Sequence, residues 1–319
     1  MRAFVLGLGS IGHRHAVNLR CLGLDVAGYD PDPAADPTDA SGLRRMPTRA
    51  ALFAEARAGD ILVIASPSRQ HEVDLADGIA NGLHIFVEKP VGHRIPQLLA
   101  LADRATAAGL VVYPGLNLRH HPAVIAARRL LSQGAIGAPL WGAFACHAYL
   151  PDWRPERDYR RGYAADTETG GVILDIVHEF DLAWHLLGPY EIDHAVTRRT
   201  GHLDLPTEDY AAAILRHSSG LLSTLQVDYV TRPPRRESTV AGTEGRLVID
   251  VGARTLSVLA SDGHVRNETY DTSFADDYVI EMRHFLSCVA GHAQPACPLP
   301  EATAVLARAL TARQKGRPR

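Results

Sequence analysis

The 319-residue sequence predicts an α/β protein of two parts: a doubly wound parallel sheet over residues 1–118, then an α/β domain over residues 119–319 with a large, mostly antiparallel open sheet. Three observations predict it. Through the first third of the chain, short apolar runs alternate with helical stretches of about 10–15 residues, the pattern of parallel strands joined by right-handed crossovers. A glycine-rich turn links the first strand to the first helix. Beyond residue 138 the chain changes to segments that alternate polar and apolar side chains between short polar turns, as suits an antiparallel sheet with one covered face.

Ala3-Phe4-Val5-Leu6 is an apolar run stopped by a glycine and reads as a buried first strand. Gly7, Gly9 and Gly12 follow in the spacing G-x-G-x-x-G. The first allows a tight turn, the second lets the backbone approach a pyrophosphate, and the third lets the next helix pack closely on the strand. That helix opens near Ile11, so its free N–H groups and positive dipole end face the same place. A second strand, Asp25-Val26-Ala27-Gly28-Tyr29, ends at Asp30, 18 residues past Gly12. A lone glycine triplet is weak evidence. Bracketed by strand, helix and a terminal acid, it is the dinucleotide-binding Rossmann fingerprint. A carboxylate at the tip of the second strand accepts hydrogen bonds from both ribose hydroxyls and repels a 2′-phosphate. Pro31-Asp32-Pro33 adds negative charge and no arginine, while Arg44 and Arg45 lie farther on in a polar loop. NAD is therefore the expected cofactor.

The alternation continues. Ile61-Leu62-Val63-Ile64-Ala65 reads as a strand buried on both faces, residues 70–81 as a helix closed by Gly82, and His84-Ile85-Phe86-Val87 as the next strand. A helix over 95–108 ends at Gly109, and Leu110-Val111-Val112-Tyr113 is a further strand. The second part opens with a helix over 122–133. Strand-like segments follow at 139–149, 191–200, 210–216, 221–229, 237–241 and 246–249. An amphipathic helix over 173–187 is expected to cover their sheet, and helices over 276–290 and 300–312 close the chain before a basic tail at 314–319.

Composition narrows the function. A net charge of −3, 46% hydrophobic and 22% charged residues are ordinary for a globular enzyme and give no basic field for nucleic acid. Cys21, Cys146, Cys288 and Cys297 show no C-x-x-C spacing, which points to reduced thiols in the cytoplasm. No apolar stretch approaches the ~18 residues that cross a bilayer. The first strand begins at residue 3, which leaves no room for a leader peptide. The expectation is a cytoplasmic protein with neither a membrane nor a nucleic-acid partner.

Glu88-Lys89-Pro90 falls directly after a parallel strand, at the sheet edge where ligands of such sheets bind. A lysine there can hydrogen-bond a hydroxyl or carbonyl; a solvated surface lysine is the bland alternative. On the later helix, Asp175 and His178 are three apart and share a helical face. Asp175 can orient His178, and His178 can exchange a proton with a hydroxyl being oxidised. Alone, a histidine on an amphipathic helix is more often a satisfied core group, and His185 and His194 keep that reading. His120-His121 lacks partners at metal-ligand spacing, so no metal site is expected.

The combination resembles the Gfo/Idh/MocA oxidoreductases over residues 1 to about 310. It rests on Gly7-Leu8-Gly9-Ser10-Ile11-Gly12-His13-Arg14-His15, Ser66-Pro67 with His71, Glu88-Lys89-Pro90, Asn117-x-Arg119, Gly134-Ala135-Ile136-Gly137 and the Asp175/His178 helix, in that order. Asp277-Tyr278 and Phe285 fit the C-terminal pattern. The resemblance implies a Rossmann domain followed by an α/β domain with a large open sheet. It places Lys89, His178 and Asp175 at the reaction, with a cis peptide before Pro90. It also implies that Gly7, Gly9, Ser10, Ile11, Gly12, Asp30, Ser66, Pro67, His71, Glu88 and Lys89 hold the cofactor, and that Asn117 and Arg119 face the substrate. One departure is visible: many members have Asp and His four apart, whereas Leu174 stands at that position here.

Tyr149-Leu150-Pro151-Asp152-Trp153-Arg154, followed by Asp158-Tyr159-Arg160, looks like a branch associated with acidic sugars and nucleotide sugars. Arginine forks bind carboxylate or phosphate, and aromatic faces stack on sugar rings. Tyr149, Trp153, Arg157, Tyr159 and Arg160 are thus candidates for an anionic carbohydrate; the alternative is a solvated loop whose arginines pair with Asp152, Glu156 and Asp158. The expected activity is NAD-dependent oxidation of a secondary sugar hydroxyl. A glycosidase with transient oxidation and a non-catalytic NAD- or sugar-sensing regulator remain open at this point. One exposed apolar sheet face favours a homodimer or homotetramer.

Overall fold

The structure, a computed structural model, describes residues 1–32 and 43–316; Pro33 and the last three tail residues lie outside the described residues. The chain forms two compact units. The first is Met1–Asn117 together with Phe274–Ala304, and the second is Leu118–Ser273 together with Val305–Arg319.

The first unit contains β1 (Arg2–Leu6), α1 (Ser10–Cys21), β2 (Asp25–Tyr29), β3 (Arg44–Arg45), α2 (Arg49–Glu55), β4 (Ile61–Ile64), α3 (His71–Ala80), β5 (His84–Glu88), α4 (Ile95–Ala107) and β6 (Val112–Gly115). Its six strands run parallel in the order β3-β2-β1-β4-β5-β6. The order reverses between β1 and β4, and the crevice at their carboxyl ends is where such sheets bind ligands. The runs of β1, β4 and β5 are buried on both faces, which is why they read as continuous apolar stretches.

Three details depart from the sequence expectations. Arg44 and Arg45 are not in a loop but add to β2 as a short edge strand. The last strand starts at Val112, because Val111 spends its N–H on His84 Nδ1 and its carbonyl on Ile85 N. The helix Phe274–Val289 belongs to this first unit rather than to a C-terminal body cut off at residue 118. Its Met282, Phe285 and Cys288 join Phe86 and Tyr113 in the core. Phe86 stacks on Tyr113 with centroids 5.7 Å apart, and Phe285 meets both edge-on. Burying each of these rings contributes about 1.5–3 kcal/mol, enough to fix the helix here.

The second unit contains α5 (Pro122–Ser132), β7 (Pro139–Tyr149), α6 (Leu150–Trp153), α7 (Val172–Asp175), α8 (His178–Leu187), β8 (Tyr190–Arg198), β9 (Tyr210–His217), β10 (Leu222–Asp228), β11 (Val230–Gly242), β12 (Gly245–Asp250), β13 (Thr255–Ala260) and β14 (Val265–Thr269). After them come α9 (Phe274–Val289), already placed, and α10 (Leu299–Gly316). The eight strands order as β14-β13-β12-β11-β7-β10-β9-β8. β7 and β10 pair parallel and the remaining pairs are antiparallel.

Alternation along β7 buries Gly142, Phe144, Cys146 and Ala148 on the face that α8 covers. The opposite face of the sheet leaves Trp141, Ile214 and Leu222 exposed. β13 and β14 escaped the sequence reading because their residues are mostly half-buried or exposed, without a clean two-residue period. β11 begins earlier than expected. Its pairing with β7 is interrupted between Val230 and Arg235, which accommodates Pro233 and Pro234.

Candidate active site

The first unit supplies a cradle at its carboxyl edge. Gly7 has φ +86°, and a Cβ there would stand 2.4 Å from Ala65 O; at Gly12 a Cβ would stand 1.8 Å from Gly7 O. Gly9 has nothing within 4 Å of its Cβ position, so the backbone there is open to an approaching group. Ser10 and Ile11 form the first turn of α1, whose N–H groups complete an anion-binding end.

Asp30 caps β2. Its Oδ2 accepts from Leu8 N at 2.7 Å and its Oδ1 from Asp32 N at 2.9 Å, which holds the carboxylate at the strand tip. A cavity of about 430 Å³ opens beside it, lined by Tyr29, Asp30, Pro31, Arg45, Met46 and Pro47. Arg45 reaches this place through β3 and donates from Nη2 to the carbonyls of Asp30 and Asp32. Arg44 pairs with Glu55 instead.

Other expected cofactor residues work behind the cradle. Ser66 Oγ donates to Asp74 Oδ2 at 2.6 Å, and Pro67 leads into the 3-10 turn Ser68–Gln70. His71 is buried, with Nδ1 2.9 Å from Pro90 O and Nε2 2.8 Å from Ser66 O. Burial favours the neutral ring, whose single N–H can donate to one of these two carbonyls, so His71 braces the loops after β4 and β5. Glu88 is committed likewise, to His15 and to the backbone N–H of Lys89.

Lys89 itself stands directly after β5, and its peptide bond to Pro90 is cis. Two residues past β6, Asn117 is 3% exposed and its Nδ2 has no hydrogen-bond partner among the described residues. A buried amide left without an acceptor costs about 1–3 kcal/mol unless a ligand supplies one. The open approach at Gly9, the pinned Asp30 and this orphaned amide all fit a dinucleotide.

The second unit carries the other candidates. The single helix expected over 173–187 is two pieces: α7 ends at Asp175, and α8 starts at His178. The break falls at Ile176 and Val177, both β-branched and weak helix formers. Asp175 and His178 therefore do not share one continuous helical face. Asp175 Oδ2 accepts from Tyr229 Oη at 2.9 Å, and His178 is buried at 8% exposure. Burial, together with the Asp175 carboxylate, pushes the Tyr229 hydroxyl well above its usual value, so it stays a donor. Trp153 packs edge-on against Tyr229 at 5.6 Å.

Arg119, expected at the substrate, is placed on a carboxylate of its own unit. It is buried and grips Asp181 of α8, with Nε 3.0 Å from Oδ2 and Nη2 2.6 Å from Oδ1. Arg160 forks onto its neighbour Asp158, and Tyr159 Oη accepts from Asp204 N at 3.3 Å. Tyr149 lies under the Arg232 guanidinium, 3.6 Å from its centre, and Arg232 in turn pairs with Asp152. Arg157 is exposed, and among the described residues no carboxylate forms a salt bridge with it. Among the same residues no group of His, Cys, Asp and Glu is arranged to hold a metal ion.

Sequence reasoning missed Tyr229, Arg232 and His15. The first two are brought to the site by sheet pairing alone. His15 had a signal, three residues after Gly12 on the inner face of α1.

Fold and cradle define a dinucleotide-dependent oxidoreductase. Residues 1–116 match the family model described as "Oxidoreductase family, NAD-binding Rossmann fold", and residues 124–248 match "GFO/IDH/MocA C-terminal domain". The chain belongs to the Gfo/Idh/MocA family of oxidoreductases and takes NAD.

It is 25% identical to scyllo-inositol 2-dehydrogenase (NAD(+)) of Bacillus subtilis, over 92% of this chain and 88% of that one. It is 26% identical to UDP-N-acetylglucosamine 3-dehydrogenase of Acidithiobacillus ferrooxidans, over 98% and 96%. An oxidoreductase of Agrobacterium radiobacter, solved in complex with NAD+, L-tartaric acid and magnesium, shares the fold with a TM-score of 0.84 at 22% identity, over 99% of this chain and 97% of that one.

Proposed function

We propose that the protein is an NAD-dependent dehydrogenase acting on a secondary hydroxyl, or the matching ketone, of a sugar or sugar derivative. The observation that carries it is Lys89 at the end of β5, beside a cradle whose glycines, acid and orphaned amide suit the dinucleotide. When bound, NAD+ supplies the acceptor for the hydrogen leaving the alcohol carbon. Lys89 holds the reacting oxygen and stabilises its developing charge. His178 takes the hydroxyl proton, and Asp175, fixed by Tyr229, orients His178.

The proposed substrate bears a carboxylate, phosphate or nucleotide. Arg154, Arg157 and Arg161 form no salt bridges among the described residues, and the loop they share holds Trp153, which reaches Asp175 through Tyr229. The relative acting on UDP-N-acetylglucosamine points the same way. Exposed Trp141, Ile214 and Leu222 on the open sheet face support a homodimer or homotetramer, which light scattering would read. Four free cysteines support a reducing compartment, the cytoplasm. Among the described residues no helix is long and apolar enough to cross a membrane.

Lys89 and Lys315 are the only lysines in the sequence, which gives the test. Trinitrobenzenesulfonate labels free amines, so peptide mapping reports Lys89 with Lys315 as internal reference. NADH should protect Lys89 and leave Lys315 unchanged; equal labelling with and without NADH rejects the assignment. A panel of inositols, aldonates and UDP-sugars, read by NADH formation, then identifies the substrate. Conversion without NADH release would instead assign the transient-oxidation chemistry.

A further inference from the structure

Glu88 has both carboxylate oxygens committed inside the first unit. Oε1 lies 2.6 Å from Nε2 of His15, and Oε2 accepts from the backbone N–H of Lys89 at 3.1 Å. His15 sits one turn past Gly12 on α1 and has no exposed surface. Its ring is wedged against Phe86, 4.8 Å between centroids, and Tyr278, 5.9 Å. The hydrogen bond to a carboxylate makes Nε2–H the donor, while Nδ1 is buried without a partner among the described residues.

Burial pushes the Glu88 carboxyl up; the hydrogen bond and pull of His15, then the charge of Lys89, outweigh it and hold the group below its ordinary 4.5. A buried anion held this way is expensive to leave unpaired, so the contact is not incidental. It joins the helix that begins at the glycine turn to the strand that ends at Lys89.

We propose that His15 and Glu88 are a positioning pair: Glu88 does not bind the cofactor but fixes the backbone of Lys89, and His15 fixes Glu88. The inference rests on the reading of Lys89 as the group that meets the reacting oxygen. Glu88 acts on Lys89 through the backbone N–H that its Oε2 accepts. His15 acts only through Glu88. Its removal should therefore reproduce the loss of Glu88 and add nothing to it.

The test needs no substrate. Trinitrophenylation of Lys89 relative to Lys315, and NADH affinity by fluorescence titration, are measured for the wild type, Glu88→Gln, His15→Asn, the double variant and Glu88→Asp. Loss of the contact that holds the Lys89 N–H should speed Lys89 labelling at fixed pH by about three- to tenfold. The NADH dissociation constant should stay within about threefold, because no cofactor contact is lost.

The double variant should label no faster than Glu88→Gln alone. Glu88→Asp, which keeps a carboxylate able to accept from the Lys89 N–H, should return part of the way to wild type; a merely structural carboxylate would leave labelling unmoved throughout. If Glu88→Gln does not fold, His15→Asn carries the same comparison with Glu88 in place. A tenfold or larger loss of NADH affinity with unchanged labelling would make Glu88 a cofactor ligand and overturn the proposal, as would additive effects of the two substitutions. Failure of NADH to protect wild-type Lys89 would instead overturn the reading of Lys89 itself.

Discussion

Replacing Arg119 with methionine separates two roles for this residue. The guanidinium and Asp181 are 2% and 0% exposed at their side chains, so water cannot take over for either partner. Arg119→Met keeps the length and apolar bulk but takes the guanidinium away from the buried Asp181 carboxylate. Breaking a buried pair in this way costs about 3–5 kcal/mol. At about 2–4 °C per kcal/mol for a unit of this size, its transition should fall by roughly 6–20 °C. Arg119→Met with Asp181→Leu removes both charges and should recover most of the loss. Differential scanning calorimetry reads each variant, and substrate KM is measured in parallel. A melting temperature within about 2 °C of wild type, with KM raised tenfold, would mean that Arg119 serves the substrate and that the structural reading is wrong.

Gly12→Ala places a Cβ 1.8 Å from Gly7 O and should abolish NADH binding, checked by fluorescence titration. Asp30→Ala removes the carboxylate at the ribose end and should weaken NADH by about ten- to hundredfold. Tyr229→Phe leaves Asp175 without its hydroxyl donor; kcat/KM should fall about tenfold with an altered pH profile, while NADH affinity holds. Glu88, Asp60 and Asp228 all sit below their ordinary values of 4.5, 3.8 and 3.8; burial raises each, and the contacts of His15 with Glu88, of Arg2 and the Arg57 N–H with Asp60, and of His147 with Asp228 outweigh it. Depressed carboxylates stabilise the fold above their unfolded values and lose that contribution as pH falls through the folded ones. Urea midpoints should therefore drop on acidification below about pH 5, less steeply in Glu88→Gln.

The cofactor half of the protein was largely legible because its signals are local. The glycine spacing spans a single turn, with Gly12 pressed against Gly7 O, Asp30 is fixed by strand length, and Lys89 by the end of a buried run. The second unit was harder. Its strands are identified by cross-strand pairing, so β13 and β14 left little trace in the sequence, and Tyr229 reaches Asp175 only because β10 and β11 lie where they do. The arginines show the same limit. Arg119, Arg157 and Arg160 read alike in sequence, yet one is buried on Asp181, one exposed, and one paired to Asp158. Arg45 reversed its expected remoteness from the ribose end because two residues added an edge strand.

The most direct measurement of the central claim is steady-state oxidation of the panel alcohols by the wild type, Lys89→Met and His178→Asn, with NADH affinity determined for all three. The wild type should form NADH, and each variant should lose about a hundredfold or more in kcat/KM with NADH affinity within about threefold. Variants that turn over as fast as the wild type would contradict it.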